Sequence, residues 1–327
     1  MADELDLLRT ADPVPAGGPH YGDGPLDHTA ERHLARLLHD TPRARRWTGP
    51  RLVWSLAAAL AAVATTLTVL LGGPGGTPAV AAPRPLAVRA HSTPVPLTDV
   101  ADLAAVAARD GSPALRRGTH VQSWSLGTSD DRPPVTLPEE RVERWAADGT
   151  HTEVVVATDP SHPGRPVLTD EGDRPRRVED GHVLSRRSFP PMWGDAPPYA
   201  TPPHTPAKLR SYLTELIYSH TRTLSTAQLL DATRELLDNW TLGARESAAL
   251  ADLLADAQGL RPAGQVTDRL GRTGQAYVHD DASGARQMLI LDPSTGAVLG
   301  LEMTSTRNDP EYGVRAGDVM EYSAWMR

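Results

Sequence analysis

The chain contains no cysteine. Disulfides, thiolate metal sites, a cysteine nucleophile and a lipidated N-terminal cysteine are therefore excluded. An oxidising compartment stays open to it but supplies no stapling. Phenylalanine occurs once, as Phe189, and lysine once, as Lys208. A folded core must rest on Leu, Val, Ala, Trp and Tyr, and nearly every base is arginine. An excess of positive charge is missing too. The net charge is −8 over 327 residues, and the sequence pI is about 5.8. Residues 1–51 hold seven arginines against eight acids, and the residues after 71 hold 26 bases against 33 acids. Neither part offers the basic surface that nucleic-acid binding needs, so nucleic acid is not an expected partner.

Charge is absent altogether from residues 52–71, LVWSLAAALAAVATTLTVLL. Twenty residues at ~1.5 Å rise match the ~30 Å hydrocarbon core of a bilayer. Three readings compete: a permanent anchor, a signal cleaved after the A-x-A string Ala79-Val80-Ala81, and a buried core helix. The length of the run argues against a core helix. A preceding arm of about 50 residues is too long for an ordinary secretory signal. The expectation is a single-pass anchor in the cell membrane, with the bilayer as its first partner. Arg43, Arg45, Arg46 and Arg51 precede the run, and the next bases are Arg84 and Arg89. The positive-inside rule then puts the arm in the cytoplasm and the rest outside. Arg45-Arg46 also has the form of a twin-arginine signal, but the apolar residues that would follow it are missing. Ser55, Ala59 and Ala62 would allow close approach of two such helices, a weak dimer signal.

Four segments follow from these patterns: an arm over 1–51, a span over 52–71, a Pro/Gly/Ala linker over 72–96 acting as a semi-extended spacer, and an outer domain over 97–327. The arm is punctuated by Gly and Pro and reads as mostly irregular. A turn of helix is expected at 3–9 and a short helix at 29–40, marginal alone in water. Such an arm is either a solvated tether or a peptide that folds on a cytoplasmic partner.

In the outer domain, Thr98 is placed to cap a helix over 99–109, with Val100, Leu103, Ala104 and Ala107 inward and Gly111 ending it. Strands are expected at 120–126, 140–147, 151–158, 165–169 and 178–187, with Asp148-Gly149 as a hairpin turn. Residues 132–138 read as a proline break. Residues 188–206 hold seven prolines and read as a surface connection. Helices follow. Thr205 and Pro206 start the first, with Leu209, Tyr212, Leu213, Leu216 and Ile217 in one stripe. Ser225 to Gln228 is a capping box opening the second, with Leu229, Leu230, Thr233, Leu236, Leu237 and Trp240 on one face. A third spans 246–257 with Ala249, Leu250, Leu253 and Leu254 inward. Strands resume at 264–270, 275–279, 287–291, 297–304 and 319–325. The order is helix, strands, helices, strands. It predicts an α+β domain with a curved antiparallel sheet covered by helices.

No catalytic constellation emerges. Twelve histidines show no H-E-x-x-H spacing. His279-Asp280-Asp281 reads as a polar turn. Asp170-Glu171-Gly172-Asp173 lacks the ligand period of a calcium loop. There is no G-x-S-x-G elbow, and the GGPGG string at 72–76 lacks a phosphate-loop lysine. Asn239-Trp240-Thr241 has the form of a glycosylation tripeptide at a helix end. Trp145, Trp193, Trp240 and Trp325 either fill the core or line a groove for a hydrophobic ligand. No catalytic, cofactor-binding or metal-ligating residue is assigned, and no cofactor is expected.

Residues 236–277 (LLDNWTLGARESAALADLLADAQGLRPAGQVTDRLGRTGQAY) and 289–302 (LILDPSTGAVLGLE) resemble a family of actinobacterial membrane proteins known by a locus-style placeholder name, without an assigned biochemical activity. Its members open on a DEL-x-LLR string, matched by Asp3-Glu4-Leu5 and Leu7-Leu8-Arg9; extra Gly and Pro between Ala11 and Asp27 depart from it. Such proteins are often encoded beside extracytoplasmic-function sigma factors. The resemblance implies a regulatory link to a sigma factor through the arm. The cysteine-containing zinc module of many anti-sigma factors is absent. The expected mix of sheet and helices is also similar to periplasmic lipoprotein-carrier and sigma-regulator sensor folds, an analogy of fold alone. The favoured expectation is a non-enzymatic protein with an outer sensing or binding domain. An anchored carrier for a hydrophobic envelope molecule comes second, and a cell-envelope hydrolase third.

Overall fold

Leucine stripes and alternating strands account for most of what the computed structural model shows. It describes residues 17–18, 21–22, 83–129, 132–171, 174–192, 194, 196–221 and 223–326. The expected arm helices, the apolar run 52–71 and the candidate cleavage string at 79–81 lie outside the described residues. Among the described residues no helix is long and apolar enough to cross a membrane. The chain divides into two units, 1–75 and 76–327. In the first, Gly17–Gly18 pairs antiparallel with Tyr21–Gly22, a pairing not expected in that Gly/Pro-rich stretch.

The second unit starts with α1 (Leu97–Ala107), then β1 (His120–Ser129), β2 (Arg132–Trp145), β3 (His151–Ala157) and β4 (His182–Phe189). Three helices follow: α2 (Pro206–Leu216), α3 (Thr226–Leu237) and α4 (Ala244–Ala255). The chain then returns to strands β5 (Arg261–Thr267), β6 (Thr273–Asp280), β7 (Ala285–Leu291), β8 (Val298–Ser305) and β9 (Val319–Trp325). The two strand groups form one curved antiparallel sheet in the order β5-β6-β7-β8-β9-β1-β2-β3-β4. The seam is the pairing of the last strand with the first, from Glu321↔Ser125 to Trp325↔Val121.

The helices lie on one face of this sheet, as their stripes require. Leu209, Leu213, Leu230, Leu236, Leu250 and Leu254 are buried with Tyr277, Leu289, Leu291 and Trp325 of the strands. Burying one such side chain is worth about 1.5–3 kcal/mol. The capping box forms with both hydrogen bonds: the Ser225 hydroxyl accepts from the Gln228 N–H at 3.2 Å, and the Gln228 side-chain oxygen accepts from the Ser225 N–H at 2.9 Å. Helix α1 packs on α4 through Ala101, Ala104 and Ala251.

The opposite face carries its own core of Trp124, Met288, Ile290, Leu299 and Tyr322, closed by Leu86. Residues 83–92, the end of the expected spacer, are thus built into the domain. Val88 bridges Val266, and the Arg89 N–H donates to the Gln265 carbonyl at 2.7 Å. The Leu86 N–H donates to buried Glu302 at 2.8 Å. Arg269 pairs with the other oxygen of Glu302 and donates to the Arg84 carbonyl.

Several local expectations are corrected. Residues 132–138 are not a break but the first half of β2, paired with β1. Thr119 and Glu143 exchange both backbone hydrogen bonds. Odd-numbered β2 residues therefore point their N–H groups at β1, and even-numbered ones point away. Pro138 falls at an even position, beyond the last β2–β3 pair at Glu139↔Ala157, so its missing donor weakens no ladder; Pro133 and Pro134 lie at the register shift between Gly127 and Ser129, where the ladder is already interrupted. The strand expected over 178–187 is two strands: Arg176–Val178 pairs with Val167–Thr169, and β4 begins after a turn at Gly181. Thr98 does not cap α1. Pro96 is the cap residue, and Leu103 faces solvent while Ala101 faces in.

Candidate ligand-binding cleft

On the helix face, the half of the sheet made by β2–β4 is polar rather than leucine-rich. The period of two puts Arg141, Glu143, Trp145, His151, Glu153 and Phe189 on this face, in register. Arg141 is the hub, 3.2 Å from Asp238, 3.6 Å from Glu143 and 3.8 Å from Glu153. The Asp238 carboxylate also accepts from the Trp325 indole N–H at 3.1 Å. Burial pushes the Asp238 carboxyl above the ordinary aspartate range, against the opposing pull of Arg141. Glu139 and Asp231 are shifted the same way, again mainly by burial.

At the end of this face the aromatics stack. Trp145 lies 4.0 Å from His151 and His151 lies 4.4 Å from Phe189, both nearly parallel. The Arg117 guanidinium sits 3.9 Å above the Trp145 ring and donates to the Tyr199 carbonyl at 3.0 Å. Burial lowers the Arg117 pKa, offset in part by Tyr199 and Glu143. The indole of Trp145 donates to Glu143 at 2.7 Å, and the indole of Trp240 donates to the Pro198 carbonyl at 2.7 Å. With His151 covered on both ring faces and buried, this cluster positions the proline segment and the strand ends; it presents no nucleophile or accessible base.

Next to it, a cleft of about 640 Å³ opens where the chain enters β1. It lies between Arg116–His120 and the end of β2, with Thr241 and Met326 at its margin. Three arginines, Arg116, Arg117 and Arg144, line it against one carboxylate, Glu143, a cationic balance on an acidic domain. Donors in a concave, partly apolar setting can hold an anion.

The residues singled out from sequence fall elsewhere. Trp240 and Trp325 are buried in the helix-side core, Trp145 is in the stack, and Trp193 lies outside the described residues. They do not line one groove. His279 ends β6. Asp280 there holds Arg261 and Arg286, and Asp281 accepts from the Ser283 hydroxyl within its turn. Glu171 holds Arg176 and His182, while Gly172 and Asp173 lie outside the described residues. Asn239 is buried and donates to the Glu235 carbonyl. Among the described residues no three His, Asp or Glu side chains gather as a metal site. Sequence reasoning passed over Arg116-Arg117-Gly118. Its signal was two arginines and a glycine immediately before a strand in an acidic domain.

No protein-family model matches the chain, and no curated protein matches it.

Proposed function

We propose that the chain is a non-enzymatic single-pass membrane protein. Its outer domain binds a ligand in the envelope and relays occupancy through the span at 52–71 to the cytoplasmic arm, where a sigma factor is the partner. The observation that carries this reading is the packing of residues 83–92 across the sheet. The stretch that would leave the membrane is fastened to β5 and β8 by Val88, Arg89 and Leu86. A domain hung on a free spacer would have no mechanical hold on its span. One fastened at the first residues of the fold transmits a change of position or oligomeric state. The uncharged run, the arginines before it and the family resemblance support the membrane and sigma-factor parts.

The absence of native cysteine makes the topology directly testable. Asp40→Cys and Ser161→Cys each introduce one thiol, the first in the arm and the second on an exposed loop of the domain. A membrane-impermeant maleimide applied to intact cells is expected to label the chain carrying Ser161→Cys and to spare the one carrying Asp40→Cys until the cells are lysed. Labelling of Asp40→Cys in intact cells, with Ser161→Cys protected, would refute the orientation.

A further inference from the structure

The cleft has a second property that names its ligand, and the argument rests on reading the outer domain as a binding module. The Thr119 N–H donates to the Glu143 carbonyl at 3.2 Å, and the Glu143 N–H donates to the Thr119 carbonyl at 2.8 Å. His120 is registered with Val142. By the period of two, His120 shares a face with Val142. Beyond Gly118 the chain changes partner: Arg117 and Arg116 pair with Trp240 and Thr241, and Arg116 lines the cleft together with Arg144. Gly118 has φ +96°, and a Cβ there would stand 2.4 Å from the Glu143 carbonyl oxygen. Only glycine lets the strand entry lie this close to the end of β2.

The charges around the cleft are unevenly committed. Glu143 is engaged by Arg141 and by the Trp145 indole, and Glu140 by His120. Arg116 and Arg144 are exposed, and among the described residues neither has a carboxylate partner. Two guanidinium groups thus line the cleft in a domain whose acids outnumber its bases. Guanidinium forks match tetrahedral oxyanions bidentately, and the apolar Val142 and Met326 beside them suit a non-ionic remainder. We propose that this cleft binds a phosphate group, with Arg116 and Arg144 as its donors. Phosphate chemistry is shared by a phospholipid headgroup and by free phosphate.

The test titrates the full-length chain, held in dodecyl maltoside, with inorganic phosphate and separately with dihexanoylphosphatidylglycerol below its micelle concentration. Saturable one-site binding is expected. Arg116→Ala with Arg144→Ala is expected to weaken it by about tenfold or more, the size of one lost charge-assisted contact. Both side chains are exposed, so the melting temperature is expected to stay within about 2 °C. Phosphatidylglycerol binding well above phosphate assigns the headgroup as source; equal affinities assign the free anion. No saturable binding of either probe, or binding that the double substitution leaves unchanged, overturns the proposal. The relay fails by a separate route: loss of a sigma-factor partner would leave these titrations untouched.

Discussion

Asp268→Ala is expected to cost the outer domain about 3–5 kcal/mol, the range for removing one partner of a buried ion pair. Asp268 closes the turn between β5 and β6, and its side chain is fully buried. One carboxylate oxygen accepts from the Leu270 and Arg272 N–H groups at 3.0 and 2.7 Å; the other accepts from Arg272 Nε at 2.7 Å. Arg272 in turn donates to the carbonyls of Trp325 and Leu299, both at 2.6 Å. The pair thereby ties the β5–β6 turn to β8 and to the seam strand β9. Removing the carboxylate leaves a guanidinium and two N–H groups without their acceptor. Thermal melting of the variant is expected to fall by roughly 10 °C or more for a domain of this size. Arg272→Met with Asp268→Leu, which removes both charges, is expected to recover much of the loss. A single Asp268→Ala variant that melts within 2 °C of the parent would show that the network is not what holds the seam.

Gly118→Ala is the second large effect, expected to destabilise by about 3 kcal/mol. Two costs combine. The residue has φ +96°, where an L side chain is strained, and the new Cβ meets a backbone oxygen rather than a side chain able to swing away. The Glu143 carbonyl it would strike is held by the Thr119 N–H, so relief requires opening the first rung between β1 and β2. Chemical denaturation measures this. Phosphate binding by the surviving folded fraction is also expected to weaken, because the strand entry that carries Arg116 must move off the end of β2 to relieve the clash. Unchanged stability would mean that the strand entry relaxes freely.

Much of this fold is legible in the residues because local signals and packing agree. Ser225 and Gln228 announce a capping box and make one. The stripes of α2, α3 and α4 name every leucine that those three helices give to the helix-side core. The strand at 319–325 is found within its expected limits. What was not legible depends on partners distant in sequence. Pro138 looks like a breaker until the register shows that its nitrogen faces away from β1, and Pro133 and Pro134 until they are seen to sit at a register shift. Leu103 belongs to a helical stripe, yet α1 turns Leu97 and Val100 to the core and alanines to α4, and leaves Leu103 outside. No periodicity says that β9 returns beside β1 and fuses the two strand groups. The cleft was hidden for the same reason. Arg116 and Gly118 acquire meaning only when the β2 end, Thr241 and Met326 are brought to them. Tryptophans stand out by type, but Trp325, Trp240 and Trp145 are explained by neighbours: Asp238 for Trp325, Pro198 for Trp240, and Arg117 with His151 for Trp145.

Residues 83–92 are fastened to the sheet, and under the proposed relay this fastening would couple the domain to the span and so to the arm at 1–51. The most direct measurement is capture from membranes. The full-length chain and a chain lacking residues 1–46 are each cross-linked in cells and purified, and the retained proteins are identified by mass spectrometry. The account predicts that a sigma factor is enriched with the full-length chain and lost with the arm. Equal recovery from both chains, or no sigma factor with either, would contradict it.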